Sequence, residues 1–239
     1  MTTRKLFAAA AALALAGCAT PGPLHLYTAA SPSPASVRDL GGEPPATAEV
    51  PSYLESGETL TGFAYDPFTD HFFLRLAPGN KIRVIDRPAR KIKREFTVAQ
   101  LPAAGGGDLA VRPATGHIFF AHPSEPALIE TSRLGEFIRA IPLETLTAPP
   151  GGVAYDSAHD RLLILSGGDL SSITVHDRDG QKISVITLDR TVARTSLAFD
   201  PLVREFFVPL CKISPLLGNY LGMYDGVDRT TDGGRCGSG

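Results

Sequence analysis

The chain has 239 residues, 43% of them hydrophobic, with 23 Lys and Arg against 25 Asp and Glu and a formal charge of −2. This is the composition of a globular chain long enough to bury a sizeable core, and it excludes a broad basic field for nucleic acid. No apolar run in the chain is long enough to span a membrane as a helix.

In chain order, "MTTRKLFAAAAALALAGCAT" comes first. Arg4 and Lys5 precede an unbroken apolar run from Leu6 to Ala16. A spanning helix needs roughly 20 residues, so this shorter run reads as a secretory signal over residues 1–17. Leu15-Ala16-Gly17-Cys18 resembles a bacterial lipobox. The resemblance implies a diacylglyceryl group on Cys18, which becomes the first mature residue. Ala19 stands where lipoproteins kept at the inner membrane often carry Asp, which implies the outer membrane, facing the periplasm or the cell surface. Several acyl chains hold a protein at a membrane more durably than one. Loss of Arg4 and Lys5 with the leader takes the formal charge from −2 to −4.

A tether is expected over residues 18–23. Seven of the twenty Pro lie between Pro21 and Pro51, and Pro-rich segments reach outward without folding. Within that stretch "LHLYTAA", "ASVRDLG" and "ATAEVPSYL" read as the second, third and fourth strands of a unit lacking its first.

From Gly62 onward one phrase recurs: "GFAYDPFTDHFFL", "DLAVRPATGHIFF", "GVAYDSAHDRLLI" and "SLAFDPLVREFFV". Ala64, Ala110, Ala154 and Ala198 fall in register, spaced 46, 44 and 44 residues. A period of this size marks stacked supersecondary units. In each unit large apolar residues flank the Ala, giving a short strand with one broad and one tight face. Asp66-Pro67 and Asp200-Pro201 suit a type I turn, with Asp accepting from a backbone N–H two residues on. A second strand follows ("HFFLRL", "HIFFAH", "RLLILS", "EFFVPL"), continuously apolar as if covered on both faces. The third ("KIRVID", "PALIET", "SITVHD") alternates, as on a sheet nearer solvent. A hairpin turn, as at Asp179-Gly180, leads to a fourth.

One repeat is therefore a four-stranded antiparallel meander of about 44 residues, the size of a propeller blade. Residues 60 to 225 resemble the NHL and YVTN families of bacterial β-propellers, whose blades often begin with such a phrase. The resemblance implies an all-β propeller and names no activity, because such folds host many roles. The count is three complete blades and two partial ones, as in an incomplete ring of five to seven. The fourth phrase continues to a third strand at Tyr220 to Tyr224, and "VDRTTDGGRCGSG" has no apolar content for another. The expected division is a propeller-like domain over residues 24–225 and a flexible tail over 226–239. Cys211 and Cys236 are the remaining thiols and a candidate disulfide, whose geometry the sequence does not supply.

Propeller ligands usually meet the loops joining fourth to first strands and second to third strands. Here those loops carry Asp108, His122, Glu125, Asp169 and Arg194, the candidate ligand face. Turn chemistry accounts for many of the same residues. Gly105-Gly106-Gly107 lacks a GK[ST] ending and leads into a strand, so it is no phosphate loop. Ser166-Gly167-Gly168-Asp169 is no nucleophile elbow. His71 and His117 match in the repeat without metal-ligand spacing, and a polar residue at the start of a strand is the simpler account.

The densest charge is Lys81, Arg83, Arg87, Arg90, Lys91, Lys93 and Arg94. Such cations discourage pairing at a blade's outer edge, and the functional alternative is contact with anionic headgroups or polysaccharide. With no catalytic residue, metal or cofactor indicated, the preferred reading is a membrane-tethered binding or scaffold module. Its partners would be the membrane, through the lipid, and an envelope protein or polysaccharide. The alternative is a metal-dependent propeller hydrolase or lactonase. Such sites draw Glu, Asp and Asn toward the axis, and this chain has only Asn80 and Asn219.

Overall fold

A strand covers the Ala of each repeated phrase. In the computed structural model the residues described are 27–30, 36–39, 53–188, 191–192, 196–200, 205–209 and 221–225. The signal segment, Cys18, the tether, Arg194, Cys211, Cys236 and the tail lie outside them. Strands β1 (Tyr27–Ala30) and β2 (Ser36–Asp39) form an antiparallel pair within the Pro-rich stretch. They coincide with two of the three strands expected there. Of the third, Tyr53 and Leu54 are described and lie outside any strand, buried against the next sheet.

The first full sheet is β3 (Thr59–Asp66), β4 (His71–Ala77), β5 (Lys81–Asp86) and β6 (Lys91–Thr97). The second is β7 (Leu109–Arg112), β8 (His117–Ala121), β9 (Ala127–Thr131) and β10 (Phe137–Pro142). The third is β11 (Gly152–Asp156), β12 (Arg161–Leu165), β13 (Ser172–His176) and β14 (Lys182–Thr187). A three-stranded sheet ends the series: β15 (Ala198–Asp200), β16 (Glu205–Pro209) and β17 (Leu221–Asp225). All are antiparallel meanders, so the architecture is an all-β propeller-like one with three complete blades and two partial ones among the described residues.

The repeat is exact in register. Ala64 pairs with Phe73, Ala110 with Phe119, Ala154 with Leu163 and Ala198 with Phe207, each nine residues on. One turn geometry closes the first and third of these hairpins. Asp66 accepts from the N–H of Phe68 at 3.1 Å and Asp156 from that of Ala158 at 2.9 Å, two residues on as expected. Four positions later Asp70 and Asp160 carry φ of 55° and 56°, and Tyr65 and Tyr155 donate their hydroxyls to them. Asp tolerates this left-handed conformation better than most residues.

The first strands of successive blades pack on one another, β3 on β7, β7 on β11 and β11 on β15, so they form the inner side and the fourth strands the rim. The large-small-large pattern explains the stacking. The Ala face of each blade meets the large flanking residues of the next. Ala64, Phe73, Ile82 and Val84 pack on Leu109, Val111, Ile118 and Phe120. Ala110, Phe119 and Leu128 pack on Val153, Tyr155, Leu162 and Ile164. Ala154, Leu163 and Ile173 pack on Leu197 and Phe206. The Phe119 and Tyr155 rings stack with centroids 5.6 Å apart and 6° between planes. Burying each such side chain contributes about 1.5–3 kcal/mol.

On the inner strands the backbone of one blade comes close to the next at Gly62 and Gly152. A Cβ on Gly62 would lie 2.4 Å from the Gly107 carbonyl, and one on Gly152 would lie 2.9 Å from the Leu197 nitrogen. The third strands depart from expectation. Each of β5, β9 and β13 is as covered as the second strands, and solvent begins only at β6, β10 and β14. Blades stacked face to face hide everything but the rim. The polar residues that suggested exposure are buried with partners: Glu130 bonds His117 and Arg139, and His176 bonds Thr174 and the Gly180 carbonyl.

Candidate ligand face at the loop end

In an antiparallel meander the ends of second and fourth strands lie together, and the loops here bond one another accordingly. Gly79 N–H donates to the Ala103 carbonyl at 3.0 Å, Leu143 N–H to Pro126 at 2.8 Å, Leu188 N–H to Ser171 at 2.8 Å and Val192 N–H to Leu170 at 3.0 Å. Asp108, His122, Glu125 and Asp169 all belong to this end.

Asp108 is 1% exposed. Its Oδ2 accepts from the N–H of Val153 at 2.9 Å and of Leu197 at 2.8 Å. Those two residues occupy the same repeat position in the third and fourth blades, so one carboxylate joins the inner strands of three consecutive blades. The repeat explains why it can. Gly62, Asp108, Gly152 and Ser196 are equivalent, two residues before the Ala. Where the other blades place little or nothing against their neighbour, the second places a carboxylate.

Burial pushes the Asp108 carboxyl up to about 7, against the opposing pull of the N–H groups of Val153, Leu197 and Leu109 and the charge of Arg75. Its Oδ1 is buried with no hydrogen-bond partner among the described residues.

Arg75 is the cation behind it and is fully buried. Its Nε donates to Asn80 Oδ1 at 2.8 Å and its Nη1 to the Ala121 carbonyl at 2.7 Å. Burial lowers its pKa to about 10, which leaves it charged at neutral pH. Asn80, 1% exposed, also donates to the Pro102 carbonyl. Gly107 makes room for this arrangement: its φ is +154°, and a Cβ there would lie 3.1 Å from both Arg75 Nη1 and the Ala121 carbonyl. The Gly triplet is thus a packing device.

Sequence reading missed Arg75, absorbed in the run "HFFLRL". The available signal was the repeat itself, since the equivalent residues are Ala121 and Leu165. A lone Arg among apolar equivalents demands a buried partner.

The remaining candidates stand apart from this pair. His122, 8% exposed, accepts through Nδ1 from the N–H groups of Ser124 at 3.4 Å and Glu125 at 3.1 Å, shaping its own loop. Glu125 is exposed. Asp169 accepts from the Ser171 N–H at 3.0 Å and hydroxyl at 2.6 Å and from the Ser172 hydroxyl at 2.8 Å, bonds that hold its carboxyl below the usual range. Among the described residues no three His, Cys, Asp or Glu side chains are grouped to hold a metal. His71 and His117 take separate partners, Lys93 and Glu130.

No family model and no curated protein sequence matches the chain. Solved structures do, 730 chains in all, and so wide a likeness speaks of a common architecture. A chain of a nidogen/laminin complex is 14% identical with a TM-score of 0.58, over 77% of this chain and 69% of that one. A hydrazine synthase chain of Kuenenia stuttgartiensis is 14% identical with a TM-score of 0.48, over 72% of this chain. The present chain spans about half of its length, 48%. Likeness at this identity is one of fold alone, and the match to the nidogen/laminin chain supports the β-propeller already evident from the sheets.

Proposed function

We propose that the chain is a non-catalytic propeller module of the bacterial lipoprotein type, with NHL- or YVTN-like blades, held at the outer membrane by lipid on Cys18. Its loop end would present a binding face to an envelope protein or polysaccharide. The observation that carries this reading is the use of the loop-end polar groups. Asp108 through Oδ2 and Arg75 through Nη1 join blades, while His122 and Asp169 shape their own loops. What the loop end offers a partner is a surface of loops hydrogen-bonded to one another, with Glu125 exposed on it.

Two measurements test the reading. Labelling of cells with a palmitate analogue should mark the chain and fail with Cys18→Ser; label retained in that variant refutes the anchor. Crosslinking in intact envelopes followed by affinity purification should recover a reproducible partner; its absence refutes the binding role. Calorimetric titration with divalent metal addresses the hydrolase alternative. A tight site lost in Asp169→Asn would replace the scaffold reading.

A further inference from the structure

The basic stretch of the first blade separates into paired and unpaired members once folded. Lys81 and Arg83 are bound to Glu58, with Glu95 also on Arg83. Arg87 is bound to Asp70, and Lys93 Nζ lies 2.9 Å from His71 Nε2. Arg90 and Lys91 are exposed at the hairpin tip. Arg94 differs from all of these. It is half-buried on the face of β6 turned toward the second blade, beside Val84, and no carboxylate pairs with it among the described residues. Its Nη2 donates to the carbonyl of Arg133, in the turn between β9 and β10.

Arg133 brings a second guanidinium to the same seam. Its Nε donates to Asp66 at 2.9 Å, and its Cζ lies 5.5 Å over the exposed Phe68 ring. Gly116, with φ of +73°, leaves the space it fills: a Cβ there would lie 2.2 Å from Arg133 Cζ. Arg94 Cζ in turn lies 5.6 Å over Phe96. Both arginines keep one buried N–H donor without an acceptor among the described residues, Nε of Arg94 and Nη2 of Arg133.

Among the described residues one carboxylate, that of Asp66, pairs with Arg133, and none pairs with Arg94. Asp66 accepts from the Phe68 N–H and the Thr69 hydroxyl as well as from Arg133. Asp86 caps the Ala89 N–H, and Glu136 accepts from Ser132. Lys93 and His71 add no negative charge. Asp66 answers one of the two charges, so the seam keeps one cation in excess and an unsatisfied donor on each guanidinium, which is unfavourable as it stands. An acceptor that carries negative charge beside the two guanidinium groups would offset their repulsion and offer an unsatisfied donor its partner. Guanidinium donors suit the oxygens of a phosphate. Burial, followed by the repulsion of Arg133, lowers the Arg94 pKa, in keeping with this account.

We infer that Arg94 and Arg133 form an oxyanion-binding site at the seam between the first and second blades, for a phosphate group that is either free or part of a lipid headgroup. The site does not rest on the anchor or the scaffold role, and the failure of either leaves it standing.

The test uses the full chain. Inorganic phosphate is titrated by calorimetry, and co-sedimentation is measured with phosphatidylcholine vesicles with and without phosphatidic acid. Saturable binding is expected in at least one arm, weakened about tenfold or more by Arg94→Gln and unchanged by Lys91→Gln. Arg94→Gln leaves no carboxylate unpaired, and circular dichroism checks its fold. Arg133→Lys, which keeps a charge beside Asp66 and removes Nη2, is the second variant and should weaken binding too. Binding of inorganic phosphate assigns a free anion. Binding confined to phosphatidic acid vesicles, with the same dependence on Arg94, assigns a headgroup. No saturable binding in either arm, or binding indifferent to both arginines, overturns the inference.

Discussion

Replacing Asp108 by Asn should change how stability depends on pH. The carboxyl is fully buried and its pKa is pushed up to about 7 from an ordinary 3.8. Its folded-state pKa therefore lies above its unfolded one. Between about pH 4 and about pH 7 the folded chain holds a proton that the unfolded chain has released, so this group's contribution to stability is full at the acid end and lost as pH rises. A shift of about three units at about 1.4 kcal/mol each corresponds to about 4 kcal/mol across that window. Asn keeps the shape and an acceptor for Val153 and Leu197 but has no proton to lose. Urea unfolding followed by far-UV circular dichroism, at steps from about pH 4 to about pH 8, gives the free energy of each protein. The difference, wild type minus Asp108→Asn, should fall by about 4 kcal/mol over the window and level off above it. Taking the difference cancels other titrating groups. A difference that stays constant with pH refutes the reasoning.

Other outcomes follow from the same contacts. Gly62→Ala drives a Cβ into the Gly107 carbonyl and should destabilise by about 1–3 kcal/mol, read as a lower urea midpoint at unchanged slope. Phe119→Ala opens the seam between the second and third blades and should cost about 3–5 kcal/mol in the same assay. Glu58 has its pKa held down to about 2, because bonds from Lys81, the Glu55 backbone and Arg83 outweigh the opposing effect of burial. Its contribution is present above the unfolded pKa and lost as pH falls toward about 2, so Glu58→Gln should flatten the acid limb of the stability curve, measured by thermal unfolding.

The fold was legible because its signal is periodic. Four alanines in register, each flanked by large apolar residues and followed by a turn, encode the blade, and the nine-residue offset across each hairpin repeats that spacing in space. What the sequence obscured is whatever departs from the repeat or acts across it. Asp108 was visible as a loop acid, yet its partner Leu197 lies 89 residues away and no local pattern joins them. Arg75 was hidden inside an apolar run. The alternation of the third strands suggested solvent because a buried ion pair and an exposed one look alike in sequence: Arg83 is 0% exposed, held by Glu58 and Glu95. The basic stretch read as one edge feature, whereas folding neutralises several of its cations and leaves Arg94 facing an arginine 39 residues on.

The central claim is that the four Ala phrases are the inner strands of successive blades, each packed on the next. Through-space proton contacts in a nuclear Overhauser spectrum of the labelled chain test it without perturbing the molecule. The account predicts contacts between the Gly62 α-protons and the Leu109 methyls, and between the Gly152 α-protons and the Leu197 side chain, where the strands come close. Inner-strand contacts confined to the hairpin partners within each sheet would contradict it.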